Sequence, residues 1–198
     1  MPHRVVIGLG NPGPRYAGTR HNVGYDVVER LAHEAGVSFR RGPGASLVAA
    51  APEEGLMLVR PTTYMNVSGE AVAAVREATG AEPGALLVVL DDVALPLGAL
   101  RLRRKGSDGG HNGLASVIAA LGTAEVPRLR LGVGAVQMPP PELLAEFVLA
   151  RFEPQERPAV DRMVARAVEA VRGWAESGID AAMNVFNTQE RDPEEPDR

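Results

Sequence analysis

The sequence predicts a single α/β domain in which helices cover both faces of a mostly buried sheet. Segments with the apolar composition of strands alternate along the chain with segments of helical periodicity, which is the pattern of α/β folds. Several strand segments are apolar at consecutive positions, as strands are when both faces of their sheet are covered. The 198 residues suffice for one domain with a sizeable core, and no internal linker is long enough to divide the chain.

Short apolar runs rich in Val, Leu and Ala mark the strands. A turn at Pro52–Gly55 joins the second strand to the third. A strand over Leu100–Arg103 places Arg101 and Arg103 on one face. The predicted strands are Arg4–Leu9, Ser46–Ala51, Leu56–Arg60, Ala85–Leu90, Leu100–Arg103 and Leu129–Val133.

Apolar residues at helical spacing mark the helices. Ser68 is placed to cap one of them at its N-terminus, and Gly36 and Gly80 are suited to end two of them. The acidic and Pro-containing residues 188–198 predict a disordered tail, so the folded domain is assigned to residues 1–187. The predicted helices are Val23–Gly36, Ser68–Thr79, Asn112–Leu121, Glu142–Leu149, Pro154–Gly178 and Ile179–Phe186.

The composition narrows the functional classes. The chain has no cysteine, which excludes disulfides, thiol catalysis and thiolate metal sites and fits a cytoplasmic protein. It has no run of about 18 apolar residues and no signal-peptide pattern, so we expect a soluble protein that does not enter a membrane. The net charge of −4 argues against a dedicated nucleic-acid binder, although a local basic patch can still attract phosphate.

A glycine-rich segment follows the first predicted strand. Gly8–Gly13 satisfies the G-x-G-x-x-G pattern of dinucleotide-binding turns. Against that function, Pro14 follows the last glycine, Gly18 interrupts the expected helix, and no acidic residue ends a second strand about 20 residues on. The alternative is a tight turn that leaves Asn11 at the carboxyl edge of the strand, where open α/β sheets place their sites.

His21 is the candidate general base. Imidazole exchanges a proton near neutral pH, and polar neighbours flank His21 in the segment Gly18–Gly24. A histidine with a purely structural role is the alternative. If His21 does chemistry, water is the expected nucleophile, because the chain has neither a cysteine nor a G-x-S-x-G serine.

Asp91 ends the most apolar predicted strand and is either a turn residue or the partner that orients a histidine. His111 follows a glycine-rich loop, where it is expected to cap a helix or to contact the site. The four histidines lack the spacing of metal ligands, so we expect no metal and no other cofactor.

Asparagines lie at the edges of three predicted elements. Turns and caps favour this residue, which accounts for any one of Asn11, Asn66 and Asn112. Taken together, the three would supply uncharged donors and acceptors to a carbonyl-rich ligand, and an amide N–H can face an oxyanion.

Basic residues cluster at Arg101–Lys105 and at Arg128–Arg130. They form either a solvated face or a phosphate clamp, for which arginine is well shaped. Few aromatic residues lie among them, which argues against base stacking.

These motifs, in this order, resemble bacterial-type peptidyl-tRNA hydrolases over nearly the whole chain, roughly Arg4 to Asn187. Any one motif is weak, but the full set is highly specific. The resemblance implies a single-domain, three-layer sandwich with a mixed, twisted sheet. The matching segments are Gly8–Gly13, Tyr16–Gly24, Pro61–Gly69, Asp91 ahead of Leu95–Gly98, Gly109–Leu114 and Arg128–Gly134.

The resemblance implies a cofactor-free monomer that hydrolyses the ester joining a peptide to the 3′-terminal ribose of tRNA, which frees the tRNA for translation. It implies that His21 activates water and that Asp91 orients His21. Asn11 completes the expected catalytic set by helping to hold the peptidyl-adenosine end and the attacked carbonyl. The residues expected to hold the peptidyl-adenosine end or line the cleft are Tyr16, Met65, Asn66, His111 and Asn112. Those expected to bind tRNA phosphate are Arg103, Lys105 and Arg130.

Two departures from the family pattern fall outside the expected catalytic set. Ala115 stands where the family usually has a basic residue, and residues 135–139 replace a segment that often contains Arg-Pro. Two rival functions are an inactive homologue that binds RNA and the dinucleotide-binding enzyme. The presence of His21 and Asp91 disfavours the first rival.

Overall fold

A mixed sheet forms the centre of the molecule. The computed structural model describes residues 4–188, and within them the sheet has seven strands. The strands are β1 (Arg4–Gly8), β2 (Arg40–Arg41), β3 (Ser46–Ala51), β4 (Leu56–Pro61), β5 (Leu86–Pro96), β6 (Leu100–Arg103) and β7 (Arg128–Gly134). Their order across the sheet is β2-β3-β4-β1-β5-β7-β6. The central strands β4, β1, β5 and β7 are parallel, whereas the outer strands are antiparallel to their neighbours.

Helices cover both faces of this sheet. They are α1 (Val23–Glu34), α2 (Ser68–Thr79), α3 (Asn112–Leu121), α4 (Leu144–Leu149) and α5 (Arg157–Phe186). α1 and α5 pack on one face, and α2 and α3 pack on the other. The predicted three-layer α/β fold is therefore confirmed. Among residues 4–188, none of the helices combines the length and the apolar character that a membrane span requires.

The apolar run of β1 serves two cores at once. Successive side chains of a strand point to opposite faces, so Val6 packs with α1 and α5, while Val5 and Ile7 pack with α2 and α3. All three side chains are buried, and each contributes about 1.5–3 kcal/mol to the free energy of unfolding. Burial on both faces explains why the strand shows no polar alternation.

α1 lies unusually close to the sheet. A Cβ on Gly24 would lie 2.4 Å from the carbonyl oxygen of Val89, and one on Gly8 would lie 2.2 Å from the carbonyl oxygen of Gly24. Only glycine permits this approach. Gly8 thus serves helix packing, and the chain runs through turns after it until α1 begins at Val23, unlike the direct strand-to-helix turn of a dinucleotide site.

Two strands differ from the sequence expectation by more than one residue at an end. β5 continues to Pro96 through an irregularity between Asp92 and Pro96, so Asp91 lies inside a strand rather than at its end. β2 was not predicted, because it consists of two exposed arginines without an apolar signal. Pairing with β3 is what makes it a strand.

The helix ends also differ in part. The two predicted C-terminal helices form one helix, α5, interrupted at Gly178, whose φ of +83° lies in the region that favours glycine. The predicted capping by Ser68 is wrong: the chain already turns at Met65–Val67, and the N–H of Gly69 donates to Ser116 Oγ at 2.9 Å. Residues 189–198 of the predicted tail lie outside the described residues.

Candidate active site

A cleft of about 810 Å³ opens beyond the carboxyl end of β1, beside Leu90–Val93 of the longer strand β5. Asn11 follows β1, and Asp91 belongs to β5. His21 lies in the 3₁₀ turn Arg20–Asn22 that leads into α1, and His111 precedes α3. Parallel neighbours end at the same edge of a sheet, and this edge brings the predicted catalytic residues together.

His21 is bound to Asp91 through one ring nitrogen. Its Nδ1 lies 2.8 Å from Oδ1 and 2.9 Å from Oδ2 of Asp91. An ionised carboxylate only accepts hydrogen bonds, so Nδ1 carries the proton and donates it. In the neutral ring Nε2 is then unprotonated and available as a base. The side chain is 12% exposed and lines the cleft.

His111 binds the same carboxylate and also caps a helix. Its Nδ1 accepts the backbone N–H of Leu114 at 3.2 Å, which is a capping contact at the start of α3. Because Nδ1 accepts, the neutral ring carries its proton on Nε2, which lies 3.0 Å from Oδ1 of Asp91 and donates to it. Both roles that the sequence left open for His111, capping and contact, are therefore present.

Asp91 is a buried carboxylate held between two imidazole donors. Burial alone would raise the pKa of its carboxyl. The charge interactions and hydrogen bonds with His111 and His21 outweigh that effect and hold the pKa well below its usual range. Asp91 is thus a fixed negative charge, suited to orient His21 and to stabilise the imidazolium that forms when His21 accepts a proton.

The same three side chains are close enough to be considered for a metal ion, since candidate ligand atoms lie within 4.8 Å of one another. The hydrogen bonds argue against that use. Coordination through Nε2 of His111 would move its proton to Nδ1, where the N–H of Leu114 already points. Two donors would then face each other. The arrangement fits a carboxylate between two N–H groups better than a cation.

Asn11 presents an oriented amide to the cleft. Its Oδ1 accepts the backbone N–H of Met65 at 2.8 Å, which directs Nδ2 elsewhere. Within the described residues Nδ2 has no partner, and Asn11 lines the cleft while only 7% exposed. A donor held in this way is suited to a developing oxyanion.

Asn22 is a positioning residue that the sequence did not reveal. Its Oδ1 accepts the N–H of Asn11 at 2.8 Å, and its Nδ2 donates to the carbonyl of Asn11 at 2.9 Å. An asparagine just before a helix normally indicates a cap, yet the side chain of Asn22 caps nothing. It instead ties the loop after β1 to the turn that carries His21.

The predicted substrate-binding residues are placed unequally. Met65 is buried, Asn66 and Asn112 are exposed, and all three line the cleft. Tyr16 does not line the cleft. Its ring packs edge-on against the ring of Tyr64, with the ring centroids 6.4 Å apart. Tyr64, which was not predicted, is the ring that lines the cleft. A contact of Tyr16 with substrate would therefore be indirect.

One wall of the cleft is apolar and comes from α4. Leu144, Val148 and Leu149 face the cleft. No residue of α4 is buried, and the main contacts of this helix are with the 3₁₀ turns Arg20–Asn22 and Pro141–Leu143. We call this surface the α4 wall.

The three cations predicted to bind phosphate line the same cleft, and we call them the cationic wall. The guanidinium of Arg103 makes no hydrogen bond or ion pair within residues 4–188. Arg130 is paired with Asp92 through Nε, which leaves its terminal nitrogens available. Lys105 Nζ lies 2.8 Å from Glu125, and both side chains are exposed. The three cations thus differ in how much of their charge is already paired.

Arg128 departs from both expectations for the second basic cluster, because it is neither solvated nor free to clamp phosphate. It is 2% exposed, and burial together with nearby Arg130 lowers the pKa of its guanidinium. Its side chain fixes the loop at 106–107 that leads toward His111. The acceptors, at 2.7–3.1 Å, are the carbonyls of Gly106, Ser107, Ala124 and Val126.

Comparisons with known proteins identify the family of this chain. The family described as peptidyl-tRNA hydrolase matches residues 5–194. The peptidyl-tRNA hydrolase of Chlorobaculum parvum is 48% identical over 186 residues, covering 93% of this chain and 97% of that protein. That of Symbiobacterium thermophilum is 47% identical over 189 residues, covering 93% and 99%.

A solved structure extends the likeness to three dimensions. The crystal structure of peptidyl-tRNA hydrolase from Acinetobacter baumannii has a TM-score of 0.87 to this chain at 32% identity, and the match covers 94% of this chain and 96% of the other. Family, full-length relatives and fold therefore agree, and the chain belongs to the peptidyl-tRNA hydrolase family.

Proposed function

We propose that, in this peptidyl-tRNA hydrolase, His21 takes a proton from water and the hydroxide attacks the ester carbonyl between the peptide and the terminal ribose of tRNA. A new C–O bond forms to the water oxygen and gives a tetrahedral intermediate. Its collapse breaks the ester C–O bond, and the proton on Nε2 passes to the ribose oxygen. The observation that carries this proposal is the bond of Asp91 to Nδ1, which leaves Nε2 as the acceptor.

Asp91 and Asn11 act on the two charges that develop. Asp91, ionised and bound to Nδ1–H, stabilises the imidazolium of His21. Asn11 Nδ2 faces the negative charge on the carbonyl oxygen, an interaction supported by the anchoring of Oδ1 on Met65. His111 adds a second donor to Asp91, which keeps the carboxylate from turning away from His21.

The remaining cleft residues bind the two ends of the substrate. Met65, Asn66 and Asn112 hold the peptidyl-adenosine end through apolar contact and amide hydrogen bonds. Arg103 and Arg130 bind phosphate of the tRNA, because each has guanidinium nitrogens that are not committed to a partner. Lys105 contributes less, since Glu125 offsets its charge.

Isotope incorporation tests the chemical step. In ¹⁸O-labelled water, label should enter the carboxylate of the released N-acyl amino acid and not the ribose of the tRNA. Label in the ribose would overturn attack at the carbonyl carbon. Aminoacyl-tRNA with a free amino group should be hydrolysed slowly when it is assayed beside N-acylated aminoacyl-tRNA. Binding of both without hydrolysis of either would support the inactive RNA-binding alternative.

We also propose that the enzyme acts as a monomer in the cytoplasm. The resemblance to peptidyl-tRNA hydrolases supports the monomer, and the absence of cysteine suits a reducing compartment. Light scattering should give a mass near 20.9 kDa, and a mass of twice that value would contradict the monomer.

A further inference from the structure

We propose that Arg20 is a positioning residue that holds the α4 wall against the turn carrying His21, and that it thereby governs substrate binding more than the chemical step. The inference rests on the proposed role of His21, since Arg20 and His21 are adjacent in the same 3₁₀ turn. It concerns a side chain for which neither the motifs nor the proposed mechanism provides a role.

The hydrogen bonds and the ion pair that Arg20 donates reach the segment that follows α4. Nη2 pairs with Glu156 Oε2 at 2.7 Å, and Nη1 donates to the carbonyl of Arg151 at 2.7 Å. The backbone N–H of Arg20 donates to the carbonyl of Ala150 at 3.0 Å. The side chain is only 6% exposed. A cation is thus buried to join two segments about 130 residues apart in sequence.

Two aromatic rings from the same region enclose the guanidinium. Its carbon lies 4.5 Å from the ring centroid of Phe147 and 5.1 Å from that of Phe152. Such distances are those of cation–π contacts, which strengthen when the cation is removed from water. Phe147 belongs to α4 and directly precedes Val148, which faces the cleft. The ring of Phe147 is therefore the part of α4 that Arg20 holds.

α4 depends on such contacts for its position. It has six residues, none of them buried, and a helix this short is not stable alone in water. Its main partners are the turn Arg20–Asn22 and the preceding turn Pro141–Leu143. The side chain of Arg20 is consequently a link between the apolar wall and the turn that carries His21, in addition to the backbone contacts of Thr19 and Arg20 with residues 150–151.

The geometry separates this role from catalysis. His21 is oriented by Asp91, and the loop of Asn11 is held by Asn22, so neither contact passes through the side chain of Arg20. Loosening α4 removes binding surface that substrate and transition state share. A loss of shared binding raises KM and leaves kcat nearly unchanged.

The test compares Arg20→Gln, Arg20→Lys and Phe147→Leu with the control Arg30→Gln, which removes an exposed arginine paired with Glu34 on α1. On N-acylated aminoacyl-tRNA we expect KM to rise about tenfold in Arg20→Gln and about threefold in Arg20→Lys and Phe147→Leu, with kcat within about threefold of wild type. The double variant Arg20→Gln/Phe147→Leu should bind no worse than Arg20→Gln. Arg30→Gln should match wild type.

Hydrogen exchange on the protein without substrate supplies a readout that does not need catalysis. In Arg20→Gln and Phe147→Leu, amides of residues 142–151 should exchange at least about tenfold faster, while those of α3 are unchanged. Unaltered exchange in this segment, or a fall in kcat that equals or exceeds the rise in KM, overturns the proposal. If Arg20→Gln does not fold, Phe147→Leu carries the same test, because Phe147 is only half-buried.

The outcome is distinguishable from a failure of the proposed function. If His21→Ala kept its turnover, the role of His21 would be lost. Faster exchange in residues 142–151 and weaker binding of N-acylated aminoacyl-tRNA in Arg20→Gln would still establish Arg20 as the anchor of α4.

Discussion

Two groups of polar residues line the same cleft, and they are held in different ways. His21, Asp91 and His111 are joined by hydrogen bonds of 2.8–3.0 Å, and Asp91 is nearly inaccessible. In the cationic wall, Arg103 has no partner within the described residues, and Lys105 makes only an exposed ion pair. Proton transfer needs a fixed geometry, whereas attraction of a phosphate needs charge and tolerates movement.

The largest expected effect is that of His21→Ala. Removal of a general base should lower kcat about 10²–10⁴-fold, with substrate binding retained. Single-turnover release of an N-acyl amino acid from tRNA measures this. His33→Ala, at an exposed position of α1, is the matched control and should behave as wild type. Near-normal turnover of His21→Ala would break the distinction between the two groups.

Asp91→Asn should have the next largest effect. An uncharged amide stabilises the imidazolium of His21 less than a carboxylate does. Its N–H group would also replace Oδ2, which lies 2.9 Å from Nδ1 of His21, so that two donors would face each other. We expect kcat to fall about 10–10³-fold, less than in His21→Ala, because the base itself remains. Asp180→Asn, which removes an exposed carboxylate on α5, is the control. A loss larger than that of His21→Ala would mean that Asp91 does more than orient and stabilise.

Binding of tRNA should be affected more by Arg103→Ala than by Lys105→Ala, because Glu125 already offsets the lysine charge. We expect Kd to rise about tenfold for Arg103→Ala and about twofold for Lys105→Ala. The slope of log Kd against log salt should fall by about one for Arg103→Ala. Both variants should cleave a short acyl-nucleotide normally. Equal effects on tRNA affinity would show that the pairing of Lys105 is unimportant.

The smallest effect concerns stability in acid. Lys105 lowers the pKa of exposed Glu125, as the histidines lower that of buried Asp91. A carboxyl whose pKa is lower in the folded chain than in the unfolded chain, where it is about 4, stabilises the fold above about pH 4. This stabilisation is lost as the pH falls further. Asp91→Asn removes this contribution. The slope of the free energy of unfolding against pH should therefore fall by up to about 1.4 kcal/mol per pH unit below about pH 4.

Urea unfolding from about pH 3 to pH 7 measures this slope. Glu125→Gln should leave it unchanged, because solvent screens an exposed pair. A flattened slope in Glu125→Gln, or an unaltered one in Asp91→Asn, would contradict the idea that only the buried carboxylate is coupled to folding.

Local pattern predicted most of the fold. α2 begins and ends where its apolar spacing and Gly80 indicate, and β3 has the predicted bounds. β2 was missed because its strand character comes from pairing with β3 and not from its own residues. The predicted cap at Ser68 does not form, because a preceding turn and the distant residue Ser116 take its place, and a local pattern contains no information on such a contact.

The site could be predicted in its residue types and in the contact between Asp91 and His21, but not in its other connections. His21, Asp91 and Asn11 carry recognisable chemistry, and their motifs placed them at one edge of the sheet. The second imidazole on Asp91 depends on a loop fixed by Arg128, and the role of Asn22 depends on a loop packed beside it. These are contacts between distant segments, and no local pattern contains them.

The bond between His21 and Asp91 spans 70 residues and exists only when β1 and β5 lie side by side in the sheet. Parallel pairing of this kind requires non-local contacts, which form slowly because a long loop must first close. Catalytic activity is therefore a reporter of folding for this chain. During refolding, hydrolysis of the ester should return no earlier than the β1 and β5 amides become protected from hydrogen exchange. A species with native helices but unpaired central strands should have no hydrolase activity.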